Sequence, residues 1–359
     1  MTDKQNCTVL GAGLMGRLLA HALAKQGHRV TLHEAGGPDA LGAAARVAAS
    51  MLAPLAESAI TDISVVNMGQ YSLTRWPAII AELPEPVFFQ QKGTLLVWHR
   101  QDAHHARMLL NKLHTNSQHM AADERPQLIE NKALTELEPQ LAGKFQQAAF
   151  LPHEGQLDNR QLLDGLLASL IEQQVQIHWH SQISVHDATT SMASDKDWVF
   201  DCRGIGARQD WQQLRGVRGE VIRLHAPDVH LTRPVRLVHP RYPLYIAPKQ
   251  NHLFVIGATE IETDDTSQAS VRSTMELLSA AYSLHSGFAE ARIVELNTQL
   301  RPTLKNNLPA IQRLSHRCLQ INGLYRHGFL IAPAMLDAVM GLVNNDAHLA
   351  NRFELLLSS

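Results

Sequence analysis

The stretch Gly11-Ala12-Gly13-Leu14-Met15-Gly16 has the residue types and spacing of a backbone turn that receives a dinucleotide. Gly11 makes the tight turn, Gly13 lets backbone approach a pyrophosphate, and Gly16 lets helix pack on strand. The helix that follows offers unsatisfied N–H groups and a partial positive charge to the phosphates. Glu34, closing the next strand, is placed to accept hydrogen bonds from ribose hydroxyls and to repel a 2′-phosphate. The twenty histidines invite a metal reading, with His178-Trp179-His180 and His104-His105 as the candidate pairs. Neither pair comes with HExxH or another ligand spacing, so both are read as ordinary polar residues. The chain has no GxSxG, which leaves a hydrolase without support.

Several elements must hold this chemistry in place. Cys7–Leu10 reads as a buried strand, followed by a helix with Leu18, Leu19, Ala22 and Leu23 on one face and Gly27 beyond its end. Val30–His33 is the second strand of the unit. A helix over 159–173 and strands at Val175–Trp179, Trp198–Cys202 and Cys318–Ile321 extend the pattern. The Trp198–Cys202 strand runs into Gly204 and Gly206. A third glycine turn, at Gly328, precedes a final helix predicted to have Pro333 near its first position. Between these pieces, Glu220–Leu224, Leu244–Ala247 and Leu253–Gly257 alternate as an antiparallel sheet does.

The expected fold is α/β. A Rossmann-like dinucleotide-binding domain (residues 1–80, 150–218 and 305–359) interleaves with a mostly antiparallel-sheet substrate domain (81–149 and 219–304). Glycine turns so far apart favour FAD over NAD, because the long flavin dinucleotide needs backbone from distant segments.

Composition narrows the class further. With 359 residues, 45% of them hydrophobic, the chain can bury a sizeable core. A net charge of −2 lacks the basic field of a nucleic-acid binder. Cys7, Cys202 and Cys318 are odd in number and widely spaced, which excludes a disulfide scaffold and fits a reducing compartment. No apolar run reads as a membrane span of about 20 residues, and no apolar signal segment precedes the glycine motif. A soluble cytoplasmic protein is the expectation.

The whole chain resembles the D-amino-acid oxidase superfamily of FAD-dependent amine oxidases, and within it the glycine oxidases of thiamine biosynthesis. The resemblance is carried by the motif through Glu34 and by Ala48-Ala49-Ser50-Met51-Leu52, Arg218-Gly219-Glu220 and Tyr245-Ile246-Ala247-Pro248. It continues through Ile256-Gly257-Ala258-Thr259, Leu300-Arg301-Pro302 and Tyr325 to Pro333. It implies non-covalent FAD, with Leu14 and Met15 at the diphosphate, Glu34 and Ala35 at the ribose, and backbone of Ile183 near the adenine. Ala44, Ala45, Ala49, Ser50 and Met51 would line the path to the isoalloxazine, and Leu324, Tyr325, Arg326, His327, Gly328, Phe329 and Leu330 would wrap it. The final helix would then aim its N-terminus at the flavin's pyrimidine edge.

For the substrate, the resemblance implies Arg301 on an amino-acid carboxylate, where a guanidinium pairs as a planar fork. Tyr245 would donate to the same group, Arg326 would add positive charge, and Met51 would form an apolar wall. The chain departs from the family pattern at Ser50 (usually glycine), Leu324 (often histidine) and Glu260 (an apolar position). The implied reaction oxidises glycine with O2 to an imine and H2O2, the imine giving glyoxylate or serving thiazole assembly, with no protein base. Alternatives are an oxidase or dehydrogenase of another amine (sarcosine, a D-amino acid, a modified-nucleoside side chain) and a non-catalytic flavin-binding module. The resemblance also implies a homo-oligomer, with no nucleic-acid or membrane partner.

Overall fold

The computed structural model describes residues 4–240 and 244–357. Its first sheet has six strands in the order Ala310–Ser315, Cys318–Asn322, Trp198–Asp201, Asn6–Leu10, Arg29–His33 and Gln176–His178. All neighbours run parallel except the hairpin formed by the first two. Trp198–Asp201 and Cys318–Asn322 are buried at every position, apolar but for Asp201, Gln320 and Asn322, and Gln320 Nε2 donates to the Asp201 carboxylate of the neighbouring strand at 2.8 Å. The Leu14–Lys25 helix crosses from Asn6–Leu10 to Arg29–His33, and Gly27 takes up the left-handed φ of +85° just past its C-cap. Asn159–Glu172 packs beside it, its start capped by Asp158, which accepts from the N–H groups of Arg160 and Gln161.

The second sheet has eight strands, ordered Arg292–Thr303, Arg215–His225, Leu253–Gly257, Leu244–Pro248, Val235–Leu237, Thr94–Val97, Gln147–Leu151 and Gln127–Glu130. Every pairing is antiparallel except Val235–Leu237 with Thr94–Val97. Two of the expected domain boundaries, at 150 and 218, fall inside strands of this sheet. Register does not stop where composition changes: Arg215–His225 pairs with Arg292–Thr303 along its whole length.

Two expectations are corrected by the last helix. It spans Gly328–Val343, so Pro333 lies inside it and is not near its first position. Proline removes the N–H that would bond the Phe329 carbonyl four residues back, and the indole Nε1 of Trp76 donates to that carbonyl at 2.9 Å. The Tyr325–Val343 stretch is also long and apolar enough to cross a membrane, contrary to the run-length reading; 83% of its most apolar window is buried in the fold. It is a core helix, packed on Ile63–Ala81, a helix the sequence reading passed over. Close approach of the two is permitted by Gly69, where a Cβ would fall 2.8 Å from Leu330 Cδ1.

Trp76→Phe should therefore strand the Phe329 carbonyl and destabilise the fold by about 1–3 kcal/mol. Pro333→Ala added to it should recover part of the loss, because alanine restores the missing N–H. Urea midpoints of the two single variants and the double check this; strict additivity would contradict it.

Candidate functional site

The three glycine turns of the sequence converge on one cavity of about 1230 Å³, bordered at one end by Gly11, Gly13 and Gly204 and at the other by Gly328. That exceeds the roughly 300–1,000 Å³ of ordinary small-ligand sites. A long ligand with a substrate beyond it fits.

At the first end, Gly11 sits at φ +90°, and a Cβ there would lie 2.8 Å from Cys202 O and Arg203 Cα. A Cβ on Gly16 would collide with Gly11 O at 1.8 Å, so Gly16 serves the helix–strand contact. Gly13 differs: its Cβ would meet only Ala43 Cβ, at 3.7 Å. Within the protein nothing forbids a side chain there, so the bareness of Gly13 keeps the cavity surface open as a cradle. Leu14 and Met15, with the first helical N–H groups, border the same space. Glu34 borders it too, its Oε2 accepting from the Ala12 N–H at 2.6 Å and its Oε1 from the Gly36 N–H at 2.8 Å. The carboxylate thus braces the turn as well as facing the cavity.

Ala35, Ala44, Ala45 and the Ala49–Met51 stretch form the wall beyond, and Leu324 through Leu330 form the far end. The first residues of the last helix lie here, five positions earlier than expected. Ser50 takes φ +51°, the left-handed region in which a glycine would be unstrained. Its Oγ donates to the Leu157 carbonyl at 2.5 Å, and the Leu157 N–H returns a bond to the Ser50 carbonyl at 3.2 Å. Ile183 does not border the cavity; its side chain packs with Leu10, Val185, Ala188, Val199 and Cys318.

The cavity wall around Gly219, Tyr245 and Arg301 is built by strand alternation. Arg218 and Glu220 share one face of Arg215–His225, with the Arg218 Nη2 2.6 Å from the Glu220 carboxylate. Gly219 turns the other face to the cavity, and a Cβ there would sit 2.3 Å from the Arg301 Nη2. The guanidinium of Arg301 therefore lies over a strand that must be bare. It donates to the Thr259 carbonyl at 3.0 Å and has no carboxylate at ion-pair distance among the described residues. Burial lowers its pKa. Tyr245 repeats the device: it pairs with Gly257 across the sheet, and a Cβ on Gly257 would fall 2.6 Å from the phenolic oxygen. Burial raises the Tyr245 pKa, with Arg301 and Arg326 opposing, so the phenol stays a donor.

Around this pair lies an ionic network that the sequence reading missed. Glu57, buried, accepts a hydrogen bond from the Arg236 Nη2 at 2.7 Å and has the Arg326 Nε at ion-pair distance, 3.3 Å, with His327 Nδ1 3.8 Å away. Burial alone would raise the Glu57 pKa, but the two guanidinium groups outweigh it and hold the carboxylate ionised. Arg326 also donates to Glu260 at 2.7 Å, and the Tyr325 hydroxyl donates to the same carboxylate. Glu260 thus borders the cavity already tied to Arg326. Met51 completes an apolar side. Lone charges within apolar runs, Glu57 after Pro54-Leu55-Ala56 and Arg236 between Val235 and Leu237, were the available signal.

Comparison with known proteins agrees with this geometry. The profile of the DAO family, FAD dependent oxidoreductases, matches residues 6–338. A Rhizobium etli protein assigned as thiamine biosynthesis oxidoreductase ThiO is 38% identical over 331 residues, covering 92% of this chain and 94% of its own. The glycine oxidase of Geobacillus kaustophilus is 26% identical, covering 93% and 91%, and its crystal structure superposes with a TM-score of 0.80 over 95% of each chain. An iminodiacetate oxidase from Chelativorans shares the fold at 19% identity, with a TM-score of 0.80 over 98% and 99%. The open cradle at Gly13, the bracing glutamate and the long continuous cavity suit the cofactor of this family, which is FAD. The chain belongs to the DAO family of FAD-dependent oxidoreductases.

Proposed function

We propose that this enzyme oxidises glycine, or an amino acid about as small, at the carbon between amine and carboxylate, and that the imine supplies thiamine thiazole assembly. Arg301 carries the reading. Three guanidinium groups (Arg236, Arg301, Arg326) face two carboxylates (Glu57, Glu260) around the cavity end. Both carboxylates are taken by Arg236 and Arg326, so among these described residues Arg301 is the guanidinium left for an anion from solution. Its planar fork suits a carboxylate, and the protonated Tyr245 hydroxyl adds a second donor to that anion. Met51 gives the substrate's carbon side an apolar surface.

FAD, when bound, would supply the hydride acceptor for the substrate carbon, with O2 as the final oxidant. The protein's part is orientation: one carboxylate clamp fixes which carbon meets the ring. No side chain is assigned as a base, since Glu57 and Glu260 are paired and Tyr245 keeps its proton. The imine leaves for hydrolysis to glyoxylate and ammonia or for thiazole assembly. The full-length similarity to the ThiO protein and to glycine oxidase supports this choice of substrate.

A second reading, a different small amine, rests on Glu260, which brings a carboxylate to the cavity where it can meet an amine substituent. Glu260→Met should shift the ratio of kcat/KM between glycine and sarcosine by roughly tenfold, about 1.4 kcal/mol. An unchanged ratio would remove Glu260 from substrate contact.

The proposal is tested by aerobic turnover of glycine, read as H2O2 and glyoxylate. Arg301→Ala should lower kcat/KM for glycine by about 10³-fold (~4 kcal/mol) while the protein stays yellow with bound FAD. Wild-type-like turnover in that variant would overturn the assignment. Gly219→Ala, whose methyl group would occupy the place of the guanidinium, should cost roughly 10–100-fold in kcat/KM for glycine with FAD binding intact. An unaltered KM and kcat would show that Arg301 does not depend on the bare strand.

A further inference from the structure

Lys249 is a buried lysine outside the cavity and has no part in the clamp just described. It lies in the turn joining Leu244–Pro248 to Leu253–Gly257, and its side chain reaches from that sheet into the back of the cavity wall. Its Nζ donates to the Ala49 carbonyl at 2.9 Å, the Leu157 carbonyl at 2.7 Å and Gln156 Oε1 at 3.2 Å. Three acceptors match the three donors of an ammonium.

The Ala49–Ser50 peptide is trans and planar, so its N–H points opposite to its C=O. The carbonyl faces Lys249, behind the wall. The Ser50 N–H therefore faces the cavity that Ala49, Ser50 and Met51 border, and no acceptor for it exists among the described residues. A buried N–H of this kind needs a partner.

The same arrangement recurs a few residues earlier. Asn159 donates to the carbonyls of Ala45 and Arg46, and its own Oδ1 accepts from the buried Arg223 at 2.7 Å. Two cations of the antiparallel sheet thus draw carbonyls of the 45–49 segment away from the cofactor cavity.

We propose that Lys249 is a positioning residue for the flavin: its ammonium fixes and polarises the Ala49–Ser50 peptide so that the Ser50 N–H is presented to the isoalloxazine, favouring the reduced, more negative ring. The inference rests on placing that ring beside the Ala49–Met51 stretch. A donor fixed before the charge develops stabilises it without reorganisation, and a positive charge behind the peptide strengthens the donor. Asp158 supports the ammonium, while burial and Arg223 oppose it, so that the pKa falls to about 7. The three acceptors are satisfied only by the charged form.

The test uses the FAD-loaded full chain and reads the flavin midpoint potential by reductive titration against a reference dye, beside FAD affinity. No amino-acid substrate enters, so a failure of the glycine assignment leaves this result untouched. Lys249→Arg keeps charge and donors; Lys249→Gln keeps donors alone; Lys249→Met keeps neither. The Gln and Met variants should bind reduced FAD about tenfold more weakly relative to oxidised FAD, a fall of about 30 mV for a two-electron couple. Lys249→Arg should stay near wild type. Should Lys249→Met not fold, the Arg–Gln contrast decides. Potentials equal in wild type, Arg and Gln variants, even with reduced stability, would overturn the proposal and leave Lys249 as a staple between the sheet and the wall.

Discussion

The guanidinium of Arg301 lies directly over Gly219, and much of that end of the cavity follows from keeping it there. A bare strand position requires the flanking residues to bury elsewhere. Strand alternation sends Arg218 and Glu220 to the opposite face, where they neutralise each other and tie down the loop 258–270 that follows the neighbouring Leu253–Gly257 strand: Arg218 donates to the carbonyls of Asp265 and Gln268. That loop supplies the Thr259 carbonyl that holds Arg301 and the Glu260 carboxylate that holds Arg326. Taking a cation out of water is costly unless something pairs with it. Among the described residues, Arg236 and Arg326 are paired by protein carboxylates and Arg301 is not; on the function proposed above, an arriving carboxylate closes that local charge balance.

Cofactor and substrate ends are coupled through backbone. The Ala43–Met51 segment borders the cavity between the glycine motif and Arg301, with one turn of helix at Ala44–Val47 and Met51 opening a two-residue strand. It is held from behind by side chains of the antiparallel sheet and of the Asn159–Glu172 helix, and at its end by the Ser50–Leu157 exchange of hydrogen bonds. Small side chains leave its peptide groups facing a ligand, and distant residues set their direction. The short helix Pro54–Glu57 that follows then delivers Glu57 to the ionic network, so cofactor wall and substrate charge balance are consecutive parts of one chain segment.

The parallel core was legible because its signals are local. Glycines forced by φ or by contact at Gly11, Gly16 and Gly27, and apolar runs on doubly buried strands, can be seen within a few residues. The alternating runs of the second sheet were legible for the same reason. What could not be read depended on partners far along the chain. Pro333 looks like a helix start until Trp76, more than two hundred residues earlier, satisfies the carbonyl it frees. The Tyr325–Val343 stretch has the length and composition of a membrane span, and only its burial against the rest of the fold makes it a core helix. Domain boundaries drawn at 150 and 218 miss strands that continue because of their pairing partners. Within the site, the motif residues came together, while Ile183 stayed outside the cavity. Glu57, Arg236 and Lys249 had no motif to announce them, since each acts on residues brought close only by the fold.

On the proposed function, a substrate carboxylate gripped by Arg301 and Tyr245 decides what this enzyme oxidises. This is tested most directly by mixing the oxidised enzyme anaerobically with glycine and, separately, with methylamine, which keeps the amine and lacks the carboxylate. Flavin absorbance is followed in both. Glycine should bleach the flavin band at a rate that saturates with concentration, and methylamine at the same concentrations should leave it unchanged. Bleaching by methylamine as fast as by glycine would contradict it, because the clamp would then play no part in choosing the substrate.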